Sequence, residues 1–113
     1  MTVTSVVLVQ GKRIEDTTTA QYTSTNCKTV IDSGLVINTT AGPITLSLWL
    51  VAEGGTPTDS NLVADEVSIA GGATYLCPEL AGKRMDAGDS LHAEASAATS
   101  LSFRLDGRQI TTA

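Results

Sequence analysis

The chain has 113 residues with a net charge of −5, Lys+Arg 7 against Asp+Glu 12, a charged fraction of 17% and only two cysteines. That length holds one domain with a single core, and the acidic balance with scattered basic pairs such as Lys12-Arg13 and Lys83-Arg84 excludes the electrostatic footprint of direct nucleic-acid binding. With 17 Thr and 10 Ser, outward strand positions carry hydroxyls more often than charges, a surface suited to contact with other protein.

Thr2–Gln10 reads as a first strand, ended by Gly11-Lys12; its continuous Val6–Val9 run implies cover on both faces, from the fold or from a neighbouring chain. Ile14–Ala20 is threonine-rich and reads as an irregular or edge segment. Gln21–Thr25 is a short strand carrying Tyr22. After a turn at Asn26-Cys27-Lys28, Thr29–Asp32 and Leu35–Asn38 form one strand with a bulge at Gly34, where it bends between two sheets.

The pattern is clearest from Leu35 to Val51. Ile44, Leu46, Leu48 and Leu50 alternate with Thr45, Ser47, Trp49 and Val51, the period of a strand with one face in a core. The turn Thr39–Pro43, with Gly42 free to take positive φ, predicts a β-hairpin between Leu35–Asn38 and Ile44–Val51. Glu53–Ser60 is a surface loop finishing in a helical turn at Asn61-Leu62. Leu62–Ile69 is a strand with Val63, Val67 and Ile69 on one side and Leu62 and Ala64 on the other. Ala70–Ala73 turns tightly into Thr74–Cys77, and Pro78–Gly82 has the proline and glycine of a single helical turn.

Ala87-Gly88-Asp89 leads into Ser90–Ser96, with Leu91, Ala93 and Ala95 inward and His92, Glu94 and Ser96 outward. Ala97-Ala98-Thr99 is a last hairpin turn. Leu101, Phe103 and Leu105 then alternate with polar residues, and Asp106-Gly107 offers a bulge or turn before Gln109–Thr111. About eight short strands with no long helix predict an all-β fold, an antiparallel β-sandwich or jelly roll. Residues 1–20 form an N-terminal strand or arm and 21–113 the sandwich, in one domain overall.

Chemistry is sparse. His92 has no second histidine or cysteine at zinc-ligand spacing, and no nucleophile motif accompanies it for a triad with a serine and an aspartate. Asp86–Asp89 and Asp65-Glu66 lack the alternating carboxylates of a calcium loop. Gly54-Gly55 and Gly71-Gly72 open no phosphate-binding helix. The expectation is no enzyme, no cofactor and no metal. No apolar run is long enough for a membrane helix, and Met1–Gln10 has no signal-peptide pattern, which predicts folding in a cytoplasm. There Cys27 and Cys77 would stay as free apolar thiols. They are also candidates for a disulfide formed after release into an oxidising medium, within the chain or between subunits; an intrachain link would contribute about 4 kcal/mol.

Tyr22-Thr23, the stretch Val36–Gly55 and the stretch Pro78–Ile110, above all the Ala87-Gly88-Asp89-Ser90-Leu91 turn and strand, resemble a family of small tailed-bacteriophage virion structural proteins. The likeness covers Tyr22 to Ile110. It implies a capsid decoration or cement protein, made in the host cytoplasm, carried in the virion and bound to the major capsid protein or other virion proteins as a homodimer or homotrimer. A neck, tail-tip or fibre-associated module binding host glycan is the alternative. Contact candidates are Val6, Leu8, Trp49, Thr56, Pro57 and Leu80, with Met1–Ala20, the Glu53–Ser60 loop and Pro78–Asp86 as contact regions. Trp49, on the face opposite Leu46, Leu48 and Leu50, is either part of a second packed layer or an anchor in a subunit contact.

Overall fold

The computed structural model describes residues 1–111, and among them lie nine strands and one 3-10 turn. The strands are β1 Thr2–Arg13, β2 Thr19–Thr23, β3 Lys28–Asn38, β4 Ile44–Val51, β5 Leu62–Ile69, β6 Thr74–Tyr75, β7 Arg84–Met85, β8 Ser90–Ala95 and β9 Leu101–Thr111. They build two sheets, one ordered β1-β9-β3 with β6 and β7 both on the far edge of β3, the other ordered β2-β8-β4-β5. Every pairing is antiparallel.

This order follows from one long ribbon folded over on itself. β1 pairs β9, β2 pairs β8, β3 pairs β6 and β7, and β4 pairs β5, so the ribbon's tip is the loop between β4 and β5. Successive rungs fall alternately in the two sheets, which is the strand order of a jelly-roll sandwich.

The predicted hairpin between Leu35–Asn38 and Ile44–Val51 does not form, because β3 and β4 lie in different sheets. The link Thr39–Pro43 is an arch from one layer to the other. The buried Asn38 holds it, its side-chain NH2 donating to the carbonyls of Gly42 and Ile69, both at 2.8 Å. Gly42 does not take positive φ; Gly72, in the neighbouring crossing, does at +74°. Alternation reports which face of a strand is buried but not which strand lies beside it, so both strands were readable and their pairing was not.

The same distinction corrects other connections. Ala70–Ala73 and Ala97–Thr99 carry the chain between sheets, and β6 is only Thr74–Tyr75. β3 stays in one sheet throughout; its register shift falls between Ile31 and Ser33, not at Gly34. Pro78–Gly82 is a pair of tight turns closed by Leu80 N–H to the Cys77 carbonyl (3.0 Å) and Lys83 N–H to the Leu80 carbonyl (3.1 Å). Asp106-Gly107 is uninterrupted strand inside β9. The helical turn that ends the tip loop is present, starting two residues earlier than expected, at Asp59–Asn61.

The core is the space between the sheets. Leu101, Phe103 and Leu105 from β9 and Ile31 and Val36 from β3 meet Leu46 and Leu48 from β4 and Leu91, Ala93 and Ala95 from β8, all essentially without solvent contact. Burying a side chain such as Phe103 stabilises by about 2–3 kcal/mol. Ile14, read as part of an irregular segment, is fully buried and closes the core where the chain passes from β1 to β2. In β5, Ala64 and Ile69 both face the core despite their odd spacing. An extra residue at Glu66 (φ +48°) resets the alternation, and its N–H donates to the Ser47 hydroxyl at 3.0 Å.

Candidate interaction surfaces

The outer face of the four-stranded sheet is set by β4 and β8. Since Leu46, Leu48 and Leu91 point inward, the residues between them lie on the opposite side: Ser47 beside Glu94, Trp49 beside His92 and Val51 beside Ser90. Of these on β4, Ser47 and Val51 are themselves buried and only Trp49 keeps solvent contact. Trp49 also lies opposite Leu62 on β5, and His92 opposite Ala20 on β2. A row Ala20–His92–Trp49–Leu62 therefore crosses all four strands, framed by the half-buried hydroxyl residues Thr45 and Ser90. Trp49 and His92 are each half-buried.

His92 Nδ1 lies 3.3 Å from the Ser90 hydroxyl. Glu94 accepts a hydrogen bond from the Thr18 hydroxyl at 2.5 Å; among the described residues no carboxylate bonds the imidazole. Burial pushes the His92 pKa down. A base with a depressed folded pKa contributes stability that is complete above its unfolded value near 6.5 and is lost as pH falls toward the folded value. We expect wild type to lose stability relative to His92→Gln as pH drops below about 6.5, read from urea midpoints of both proteins across pH.

The predicted contact positions fall on different features. Val6 and Leu8 are half-buried on β1, an edge strand. Thr56 is exposed and Pro57 half-buried at the ribbon's tip, a loop ordered by Asn61, whose side chain donates to the Thr56 carbonyl and accepts from the Thr58 N–H, both at 2.9 Å. Leu80 is fully buried in the core and is not available to a partner, because the paired turns of Pro78–Gly82 fold it inward.

Cys27 and Cys77 are both buried and free. Cys27 directly precedes β3, with its sulfur 3.6 Å from the Ser24 hydroxyl and 3.8 Å from that of Thr29. Cys77 packs instead beside Gly34. Gly34 lies seven positions along the strand from Cys27, roughly 20 Å at strand rise, whereas a disulfide needs Cα atoms within about 7 Å. An intrachain bond is excluded by this geometry. Burial first, and Glu79 second, push the Cys77 thiol up to about 12. Native protein at neutral pH should therefore show no Cys77 alkylation by iodoacetamide, with labelling appearing only in denaturant; mass spectrometry of the tryptic peptide reads the result.

One cluster was not legible in the sequence. Lys28, Lys83 and Arg84 line a single depression with Val30, Met85 and Ile110. Lys12, Arg104 and Arg108 are each in an ion pair, at 3.0, 3.5 and 3.0 Å, and Arg13 donates to the Thr99 carbonyl at 2.5 Å. The cations left without such partners among the described residues thus gather in one place. Only the pairing of β7 with β3 brings Lys28 beside Lys83-Arg84, across 55 positions of sequence.

Among the described residues no group of three or more His, Cys, Asp or Glu is placed to hold a metal ion, and no helix is long and apolar enough to cross a membrane. Comparison with family models, with curated proteins and with solved structures finds no match.

Proposed function

We propose that the chain is a structural subunit of a tailed-bacteriophage virion, a capsid decoration or cement protein that binds the assembled head and stabilises it through subunit contacts. The observation that supports this reading best is the outer face of the four-stranded sheet, where the Ala20–His92–Trp49–Leu62 row sits among hydroxyls. A half-buried tryptophan in a low-charge frame is the anatomy of an interface anchor, with large contact area and little charge to desolvate. The action is mechanical. The sandwich bridges neighbouring capsid subunits, and repetition over a symmetric lattice multiplies individually modest contacts. The partners are the major capsid protein or other virion proteins, and copies of the chain itself as a homodimer or homotrimer.

Immunogold labelling of intact particles with an antibody against this chain tests the reading. Gold over the whole head is the expected result, and particles without gold would sink it. Gold confined to the neck or tail end would favour the second reading, a tail-tip or fibre module. Trp49 beside His92, as a stacking platform for a sugar ring, is the observation that keeps this reading in play. A glycan array probed with the purified protein would then decide whether it binds host carbohydrate.

A further inference from the structure

A sandwich of two open sheets has four edges, and three of them here are blunted. β6 and β7 are two residues each. β2 has five residues and a register break between Ala20 and Tyr22. β5 carries Asp65-Glu66 at its bulge. Short length, bulges and charges are the means by which proteins keep strand edges from pairing with other chains.

β1 differs. Its register irregularities lie between Val7 and Lys12, and its charged side chains are Lys12 and Arg13. Thr2–Val7 runs in unbroken register against Thr111–Asp106, with no charged side chain, proline, glycine or bulge, and its residues are Thr, Val and Ser. Among the described residues, two of the three exposed large apolar side chains are at this end, Met1 at 86% and Val3 at 50%.

We infer that the Thr2–Val7 edge of β1 pairs with the same edge of a second copy, joining two five-stranded sheets into one antiparallel sheet of ten strands. The edge is self-complementary. A two-fold axis perpendicular to the sheet keeps outer residues facing outer residues, so the axis passes through a residue position. Placed at Ser5, it sets Val3 opposite Val7 on the outer face and Thr4 opposite Val6 on the inner face. These are β-branched cross-strand pairs with no like charges in contact. The inference deepens the reading of the chain as a subunit of an assembly by naming one contact between copies. It is measured on free protein, so it stands or falls separately from any place in a virion.

A strand pair of this length buries less than the about 800 Å² per partner of a standard interface, so self-association is weak and concentration-dependent. Sedimentation equilibrium of the full chain is expected to show a monomer–dimer equilibrium. Ser5→Lys and Ser5→Glu each place like charges across the axis, and each should weaken dimerisation about tenfold; an equimolar mixture of the two should regain at least the wild-type dimer fraction. Should either variant melt below wild type, amide exchange of the wild-type chain replaces it, and protection across Thr2–Val7 should rise with concentration. A mass that stays monomeric at every concentration overturns the inference. So do a trimer, a dimer indifferent to both substitutions, or exchange at Thr2–Val7 that does not change with concentration.

Discussion

Replacing Gly107 with alanine should cost at least about 3 kcal/mol, a large fraction of the 5–15 kcal/mol typical of a domain this size. Gly107 is in the middle of β9, flanked by Val6 on β1 and Ile31 on β3. A Cβ there would collide with the Val30 carbonyl oxygen and lie 2.7 Å from Leu8 Cδ1 and 3.3 Å from Ile31 Cα. Leu8 has rotamers to try, but the Val30 carbonyl belongs to a strand held by β9 on one side and β7 on the other. Relief therefore requires moving β3 itself, and with it the centre of the five-stranded sheet. Gly42→Ala is the control, since nothing lies within 4 Å of its Cβ position and its φ is not positive. That substitution should be neutral or stabilise by up to about 1 kcal/mol, through reduced freedom of the unfolded chain. Urea melts of the two variants beside wild type check the contrast, and equal midpoints would refute it.

These glycines mark the limit of what the sequence carries. Gly42 was readable as a turn residue because Pro43 follows it, whereas the steric demand at Gly107 arises from a strand some 75 positions earlier. Facing was legible along most of the clean alternation, but at the end of β4 Val51, read as outward, is buried and Leu50, read as inward, is only half-buried. Leu91, Ala93 and Ala95 point inward as their spacing implies, Trp49 points away from Leu46 and Leu48, and Phe103 is core. Pairing was not legible, since tight turn residues serve an arch between sheets as well as a hairpin within one. Leu80 shows a related failure. It follows Pro78-Glu79 in a segment with loop composition, and only the closing hydrogen bonds on either side turn it into the core. Of the surfaces, Trp49 was visible as an outward aromatic. The cationic depression was not, because its members meet only through β3 and β7.

Asn38 carries the second large effect. Its side-chain amide is fully used: two N–H donors to the Gly42 and Ile69 carbonyls, and the oxygen accepting from the Thr40 N–H (2.9 Å) and the Thr40 hydroxyl (2.7 Å). Its backbone accepts from Gly72 and donates to Ala73, both at 3.0 Å. One residue thereby fastens the β3–β4 arch to the β5–β6 crossing. Asn38→Ala strands these groups in a buried site and should cost about 2–4 kcal/mol at any pH. Asn38→Asp keeps the shape but exchanges the two donors for an acceptor facing two carbonyl oxygens, which raises the folded pKa of the new carboxyl. The sign is then fixed. With a raised folded pKa, the protonated acid is tolerated below the unfolded value near 4, and the deficit relative to wild type grows by about 1.4 kcal/mol per pH unit above it until the folded pKa is reached. Urea denaturation of wild type, Asn38→Ala and Asn38→Asp at matched pH values separates the cases. A deficit for Asn38→Asp that is flat from pH 3 to pH 7 would mean that the side-chain nitrogen does not face those carbonyls, and the amide would then be the other way round.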